Sequence, residues 1–145
     1  MKVVVQRVNK ASVVVSKKEV GKIDKGLLVF VGFTHNDNIN NIKYIVNKII
    51  NLRIFDDESG VMNLSIKDKN YEILSVSQFT LYADTKKGNR PSYINSLNYI
   101  EAEKLYNLFN DELRKTGLKV ETGIFRSDMN VSLENDGPVT IIMER

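Results

Sequence analysis

Two short runs of this 145-residue chain set polar groups in patterns that could do chemistry. The first is Ser77-Gln78-Phe79-Thr80-Leu81-Tyr82, where hydroxyl and amide side chains stand among apolar residues at the end of a strand-like segment, residues 71–82. As an edge strand with a polar outer face, the run would be purely structural. As the end of a strand, it would offer hydroxyl, amide and backbone N–H groups to a substrate carbonyl, an arrangement that stabilises a developing oxyanion. The second run is Asn135-Asp136-Gly137-Pro138-Val139-Thr140. Asp-Gly-Pro between two apolar stretches is first of all a turn. Gly137, however, has no Cβ at a point of close approach, and X-Pro is the one bond type that adopts cis readily. A cis Gly137-Pro138 would turn neighbouring carbonyls the same way and form a rigid surface free of side chains.

Weaker signals surround these two. Lys86, Lys87 and Arg90 form a basic, breaker-rich loop directly after the first run, open to solvent or to phosphate contact. His35 lies in the polar loop Thr34-His35-Asn36-Asp37 and has the setting of a surface histidine. Asp56-Asp57-Glu58 is an acidic turn whose oxygens are too closely spaced in sequence for a calcium loop.

Composition removes the common catalytic sets. With no Cys and one His, the chain has no disulfide, thiolate nucleophile, zinc finger, Fe–S cluster or multi-histidine metal site. A Ser-His-Asp triad would have to run through His35. No metal and no cofactor is expected. Lys plus Arg is 21 against 18 Asp plus Glu, a net +3 that permits a polyanionic partner without demanding one. Apolar content of 42% and charged content of 27% suit a globular domain. No apolar run approaches the roughly 20 residues that span a bilayer, and Arg7 interrupts the apolar start before a signal-peptide pattern develops. A cytoplasmic protein without membrane contact is expected.

The elements that must position these residues follow from periodicity. The β-branched runs Val3-Val4-Val5 and Val13-Val14-Val15 predict strands, with Asn9-Lys10 as a hairpin corner. Residues 21–25 have turn composition, and residues 27–33 form a continuous apolar strand. Ile39, Ile42, Ile45, Val46, Ile49 and Ile50 recur at helical spacing behind Asp37, a candidate N-cap. A second helix is predicted over residues 100–115, with Gly117 closing it, and strands over 118–122, 129–133 and 139–143. The order β-β-β-α-β-β-α-β-β-β predicts one α+β domain, residues 1–145, around a curled, mostly antiparallel, β-barrel-like sheet with two main helices.

Eight short segments fall in one register from end to end. They are Gln6-Arg7-Val8, Ala11-Ser12-Val13, Asn51-Leu52-Arg53, Met62-Asn63, Ser77-Gln78-Phe79-Thr80-Leu81, Gly88-Asn89-Arg90-Pro91, Thr122-Gly123 and Asn135-Asp136-Gly137-Pro138-Val139-Thr140. Together they resemble the D-aminoacyl-tRNA deacylase family over essentially the whole chain. The resemblance implies a homodimer, with active sites at the subunit interface, that hydrolyses the ester between a D-amino acid and the 3′-terminal adenosine of tRNA. It leaves open a second task, clearing glycyl-tRNA. It implies that Gly137-Pro138 is cis, enters the partner subunit's site and leaves no room for an L side chain, with Arg7 holding that loop in orientation. Ser77, Gln78, Phe79 and Thr80 would lie against the aminoacyl group and terminal ribose, and Phe125 and Met129 would line the pocket. The chain departs from the family pattern at Arg126, where Gly or Ala is usual. That side chain either points to solvent or contacts tRNA.

The resemblance admits two ways to cut the ester. Thr80 could act as nucleophile, but no partner base is visible in its motif and an unactivated Thr is a poor nucleophile. Alternatively the RNA's terminal 2′-OH orients or activates water, while Gln78 and the N–H groups of Phe79 and Thr80 hold the reacting group, and this route is favoured. The rival functional class is a non-catalytic module that binds a tRNA end through the basic loop. A purely structural dimer is the third reading.

Overall fold

A computed structural model describes the whole chain, Met1–Arg145. Its first three strands are β1 (Lys2–Val15), β2 (Lys18–Ile23) and β3 (Gly26–Gly32). The two valine runs belong to one strand, so the hairpin corner expected at Asn9-Lys10 is not there. Asn9 is instead a bulge: Val8 faces Asn135 and Lys10 faces Glu134, leaving Asn9 over, its amide donating to Glu134 Oε1 at 3.1 Å. The real corner is Ser16-Lys17, both at positive φ (48° and 65°), the geometry that matches the twist of a two-residue hairpin. Most of the segment expected as a turn at 21–25 is therefore β2.

Three more pieces complete the first half. Helix α1 (Ile39–Asn51) is capped by Asn38, not Asp37, through a reciprocal pair with Asn41. Asp37 is engaged elsewhere: its carboxylate accepts from the Thr34 N–H at 2.7 Å and pairs with the Met1 ammonium. A small hairpin of β4 (Phe55–Asp56) and β5 (Met62–Leu64) then leads into a single-turn helix, α2 (Ile66–Lys69), too short for periodicity to reveal.

Strand β6 (Glu72–Ser77) stops five residues short of its expected end, and a 3-10 helix (Phe79–Tyr82) takes over. After α3 (Tyr99–Arg114) come β7 (Val120–Thr122) and β8 (Asn130–Glu144). The two strands expected at 129–133 and 139–143 are the halves of β8, and Asn135–Thr140 is an outward bulge within it rather than a turn between strands. Gln6 pairs with Thr140 and Val8 with Asn135, so Asp136, Gly137, Pro138 and Val139 together face only Arg7.

The sheet runs β2-β1-β3-β6-β7, with β8 along the other edge of β1. The pairings of β1 are antiparallel, whereas β3–β6 and β6–β7 are parallel. β6 is thus an interior strand, and its polar end is not the outer face of an edge. The sheet curls until β2 meets β7: a Cβ on Gly21 would lie 2.9 Å from the Thr122 carbonyl oxygen. Alternate residues of β3 serve two cores. Leu27, Val29 and Val31 face the larger one, shared with Ile42, Ile45 and Ile49 of α1 and Phe109 and Leu113 of α3. Leu28 faces a smaller one inside the curl with Val8, Val13, Leu74 and Val76. Burial on both faces explains the unbroken apolar run of β3. No helix is long and apolar enough to cross a membrane.

Two tyrosines make the fold sensitive to base. Burial holds the Tyr82 and Tyr106 hydroxyls protonated above the usual tyrosine range, and Asp37 and Glu144 add to the effect at Tyr82. The unfolded chain releases those protons from about pH 10. Their contribution is therefore complete below about pH 10 and lost as pH rises further. Urea midpoints should hold to about pH 10 and then fall, and fall less steeply in a Tyr82→Phe, Tyr106→Phe double variant.

Candidate functional site

β3 and β6 run parallel and end side by side, Val31 opposite Ser77. A cavity of about 470 Å³ opens at that shared end. Buried Val31, Phe33 and Val76 form its floor; Phe79, Tyr99, Arg126 and Asp128 are exposed at its mouth. Gly32 allows the chain to close up here, since a Cβ would lie 2.7 Å from the Gln78 carbonyl oxygen. One wall comes from the turn after β7. Phe125 leans on Tyr106 with ring centroids 5.8 Å apart, and the Tyr106 hydroxyl donates to the Ser75 carbonyl at 2.9 Å. Met129 and Val131 close the other side.

Of the expected site residues, Ser77, Gln78, Phe79, Phe125 and Met129 line this cavity. Ser77 ends β6, and the Gln78 N–H still bonds the Val31 carbonyl at 2.8 Å before the chain bends away. The Gln78 amide then donates to Thr80 Oγ1 at 2.5 Å. That bond makes the Thr80 oxygen an acceptor and removes no proton from it, and Thr80 is not among the residues lining the cavity. At the start of the 3-10 helix, the N–H groups of Phe79 and Thr80 donate to no acceptor of the chain. Phe79 is 57% exposed, edge-on to Tyr93 at 5.0 Å, and its carbonyl accepts from Ser96 Oγ at 2.9 Å. The one carboxylate in the lining, Asp128, has no hydrogen bond to Thr80.

Gly137 and Pro138 are exposed and lie outside the lining of their own chain's cavity. The bond between them is cis. Their loop is braced from behind. Arg7, only 7% exposed, sets Nε 2.9 Å from Asp136 Oδ2, donates from Nη1 to the Ile54 carbonyl at 2.6 Å, and approaches Asp56 Oδ1 at 3.6 Å. Asn135, which sequence reasoning left without a role, ties both ends of the bulge: its amide donates to the Arg7 carbonyl at 2.8 Å and the Val139 carbonyl at 3.0 Å. Gly137 sits at φ +115°, and a Cβ there would lie 2.9 Å from both Arg7 Nη2 and Val139 Cγ2.

Lys86, Lys87 and Arg90 are exposed on an excursion closed by the Asp84–Ser92 bridge, and none of them lines the cavity. His35 is on the surface, its Nε2 3.1 Å from the Ile94 carbonyl oxygen. Arg126 does not simply point to solvent: its guanidinium lies 3.9 Å from the Tyr99 ring centroid. Its φ is +61°, a left-handed backbone costing an L residue about 1–2 kcal/mol, which explains why glycine suits the position. Tyr99 and Asp128 carried no signal beyond composition, because helix start and turn residues enter the cavity only through folding. No group of three or more His, Asp or Glu side chains is arranged to hold a metal ion.

A family model described as D-Tyr-tRNA(Tyr) deacylase matches residues 4–144. A protein of Flavobacterium psychrophilum named D-aminoacyl-tRNA deacylase is 58% identical over 145 residues, covering 99% of this chain and 97% of that one. One of Brevibacillus brevis with the same name is 54% identical over 144 residues, covering 99% of each. A solved structure described as c-Myc DNA Unwinding Element Binding Protein superposes with a TM-score of 0.94 at 44% identity, covering 100% of this chain and 99% of that one.

Proposed function

The chain belongs to the D-Tyr-tRNA(Tyr) deacylase family, and from that premise we propose that it hydrolyses the ester between a D-amino acid and the 3′-terminal adenosine of tRNA while sparing L-aminoacyl-tRNA. The observation that carries this reading is the cavity itself. It offers an amide (Gln78), a hydroxyl (Ser77) and the unpaired N–H of Phe79, with the unpaired N–H of Thr80 next along the chain and no side-chain base bonded to Thr80. Such a site is suited to holding an ester and receiving charge on its carbonyl oxygen.

In the proposed reaction, water adds to the ester carbonyl carbon and the negative charge collects on the former carbonyl oxygen. The N–H groups of Phe79 and Thr80 donate to that oxygen; one such donor is typically worth about 2.7–4 kcal/mol in the transition state. The neighbouring 2′-OH of the ribose orients the water and relays its proton. The bond to the ribose 3′-oxygen then breaks and that oxygen takes the proton, releasing the free amino acid. Thr80 supports Gln78, and Phe125 and Met129 bound the pocket.

Selection falls to Gly137-Pro138. The pair is exposed and absent from its own chain's cavity, so it serves a pocket only if a second copy supplies it. Strand β8 makes that assembly plausible on physical grounds. It is a 15-residue edge paired only to β1, with Ile142 68% exposed, and such an edge invites association. Backbone carbonyls facing the substrate's Cα would exclude an L side chain and admit hydrogen, which extends the reading to glycyl-tRNA.

A second reading takes support from the 44% identical structure named for binding a DNA element: a nucleic-acid-binding module without catalysis. One assay separates them. Incubated with D-Tyr-tRNA and L-Tyr-tRNA, the protein is expected to release D-Tyr and leave L-Tyr attached. Retention of both charged tRNAs without ester loss would establish the binding module instead.

A further inference from the structure

We propose that Arg126, laid on Tyr99, is an arm that grips a phosphate of the tRNA 3′-terminal segment at the mouth of the cavity. The inference rests on the deacylase reading for the identity of the ligand, but its geometry is this chain's own.

Four observations converge on it. The guanidinium stacks 3.9 Å from the Tyr99 ring centroid, so one face is covered and its N–H edges remain open. Both residues line the cavity and both are exposed. No carboxylate lies within ion-pair distance of Arg126, including Asp128 two residues on, so its charge is not neutralised within the chain. The side chain is also held on a backbone at φ +61°, where glycine would be unstrained. A strained residue that is fixed by stacking and carries a free charge at a site's mouth points to a ligand. The fork of a guanidinium fits two oxygens of a phosphate, and stacking restricts it before the ligand arrives. An aminoacylated ribose in the cavity has its nearest negative charge on the backbone phosphate leading out of it.

The test compares Arg126→Gly, Arg126→Lys and Tyr99→Leu with the wild type, each first shown to unfold in a single cooperative transition well above the assay temperature. Binding of uncharged tRNA is measured across a NaCl series. Arg126→Gly is expected to bind about tenfold more weakly at low salt, with the slope of log K against log[NaCl] reduced by about one. Arg126→Lys should keep most of the slope and lose part of the affinity, and Tyr99→Leu should weaken binding less than Arg126→Gly. Hydrolysis then compares D-Tyr-tRNA with 3′-O-D-tyrosyl-adenosine, which has no phosphate. The fall in kcat/KM for Arg126→Gly should be about tenfold larger on the tRNA. Unchanged binding and slope in Arg126→Gly would overturn the proposal, as would equal losses on the two substrates. A wild type inert towards D-Tyr-tRNA would sink the deacylase reading alone, because the binding slope still decides the arm.

Discussion

A D-aminoacyl-tRNA ending in 2′-deoxyadenosine should be cut at least about 100-fold more slowly than its ribose counterpart, the usual scale of a lost acid–base group. Thr80→Ala, by contrast, should stay within about tenfold of the wild-type kcat. The reason lies in how Thr80 is bonded. Its oxygen accepts from the Gln78 amide at 2.5 Å, it is not part of the cavity lining, and no base is bonded to it. Activating a hydroxyl nucleophile requires a partner that removes its proton, and an amide N–H does the opposite. Loss of Thr80 then costs the orientation of Gln78 and little else. The 2′-OH of the substrate stands next to the scissile bond by its chemistry, whatever the protein does. Both outcomes are read from single-turnover rates with the D-amino acid esterified at the 3′-oxygen. Abolished turnover in Thr80→Ala with unchanged substrate binding, alongside normal cleavage of the deoxy substrate, would make Thr80 the nucleophile.

The second large effect is expected at Gly137. An alanine there places a Cβ 2.9 Å from Arg7 Nη2 and from Val139 Cγ2, on a backbone at φ +115°. Arg7 has little room to yield, being buried and held by Ile54 and Asp136. The loop must therefore move. Exclusion by contact tolerates little displacement, so the ratio of D- to L-Tyr-tRNA cleavage should fall at least tenfold, about 1.4 kcal/mol of discrimination. In the proposed dimer, mixed pairs would show which subunit supplies the loop. Pairing a Gly137→Ala protomer with a Gln78→Ala protomer leaves one intact pocket, and a loop acting across the interface makes that pocket selective. An unselective mixed dimer would mean that each loop serves its own chain, and an unchanged ratio in Gly137→Ala would end the exclusion account.

Much of this molecule was legible from local pattern, and the failures have a common physical cause. The helices were found because α1 and α3 bury one stripe each, and a stripe has a period. β3 was found because both of its faces are buried. Errors arose wherever a strand's continuity depends on its partner. Asn9 and Asp136–Val139 look like turns, yet β1 and β8 continue through them because neighbouring pairs on either side hold the ladder. The eight expected strands and the eight observed agree in number for offsetting reasons: each valine half-strand and each half of β8 was counted separately, while β2 and the β4–β5 hairpin were read otherwise. At the site, Ser77, Gln78, Phe79, Phe125 and Met129 carried a motif and do line one cavity. Tyr99 and Gly32 did not, because what matters about them is proximity to residues far away in sequence. The basic loop is conspicuous in sequence and takes no part in the cavity lining, and its expected phosphate contact is a separate matter.

The two bulges of the β1–β8 ladder are arithmetically coupled. From Gln6 to Val8 β1 takes two steps while β8 takes five, from Thr140 to Asn135, an odd excess that would turn every later side chain of β8 to the wrong face. Asn9 adds one uncompensated step on β1, so from Gln6 to Lys10 the counts are four and six, and the faces agree again. The exposed loop is thus insulated from the register of the sheet that carries it. Its length and composition can drift over evolutionary time, in even increments or with a matching change near Asn9, without moving the core residues on either side. The surface proposed to discriminate between mirror-image substrates could thereby be retuned while the domain beneath it stays folded.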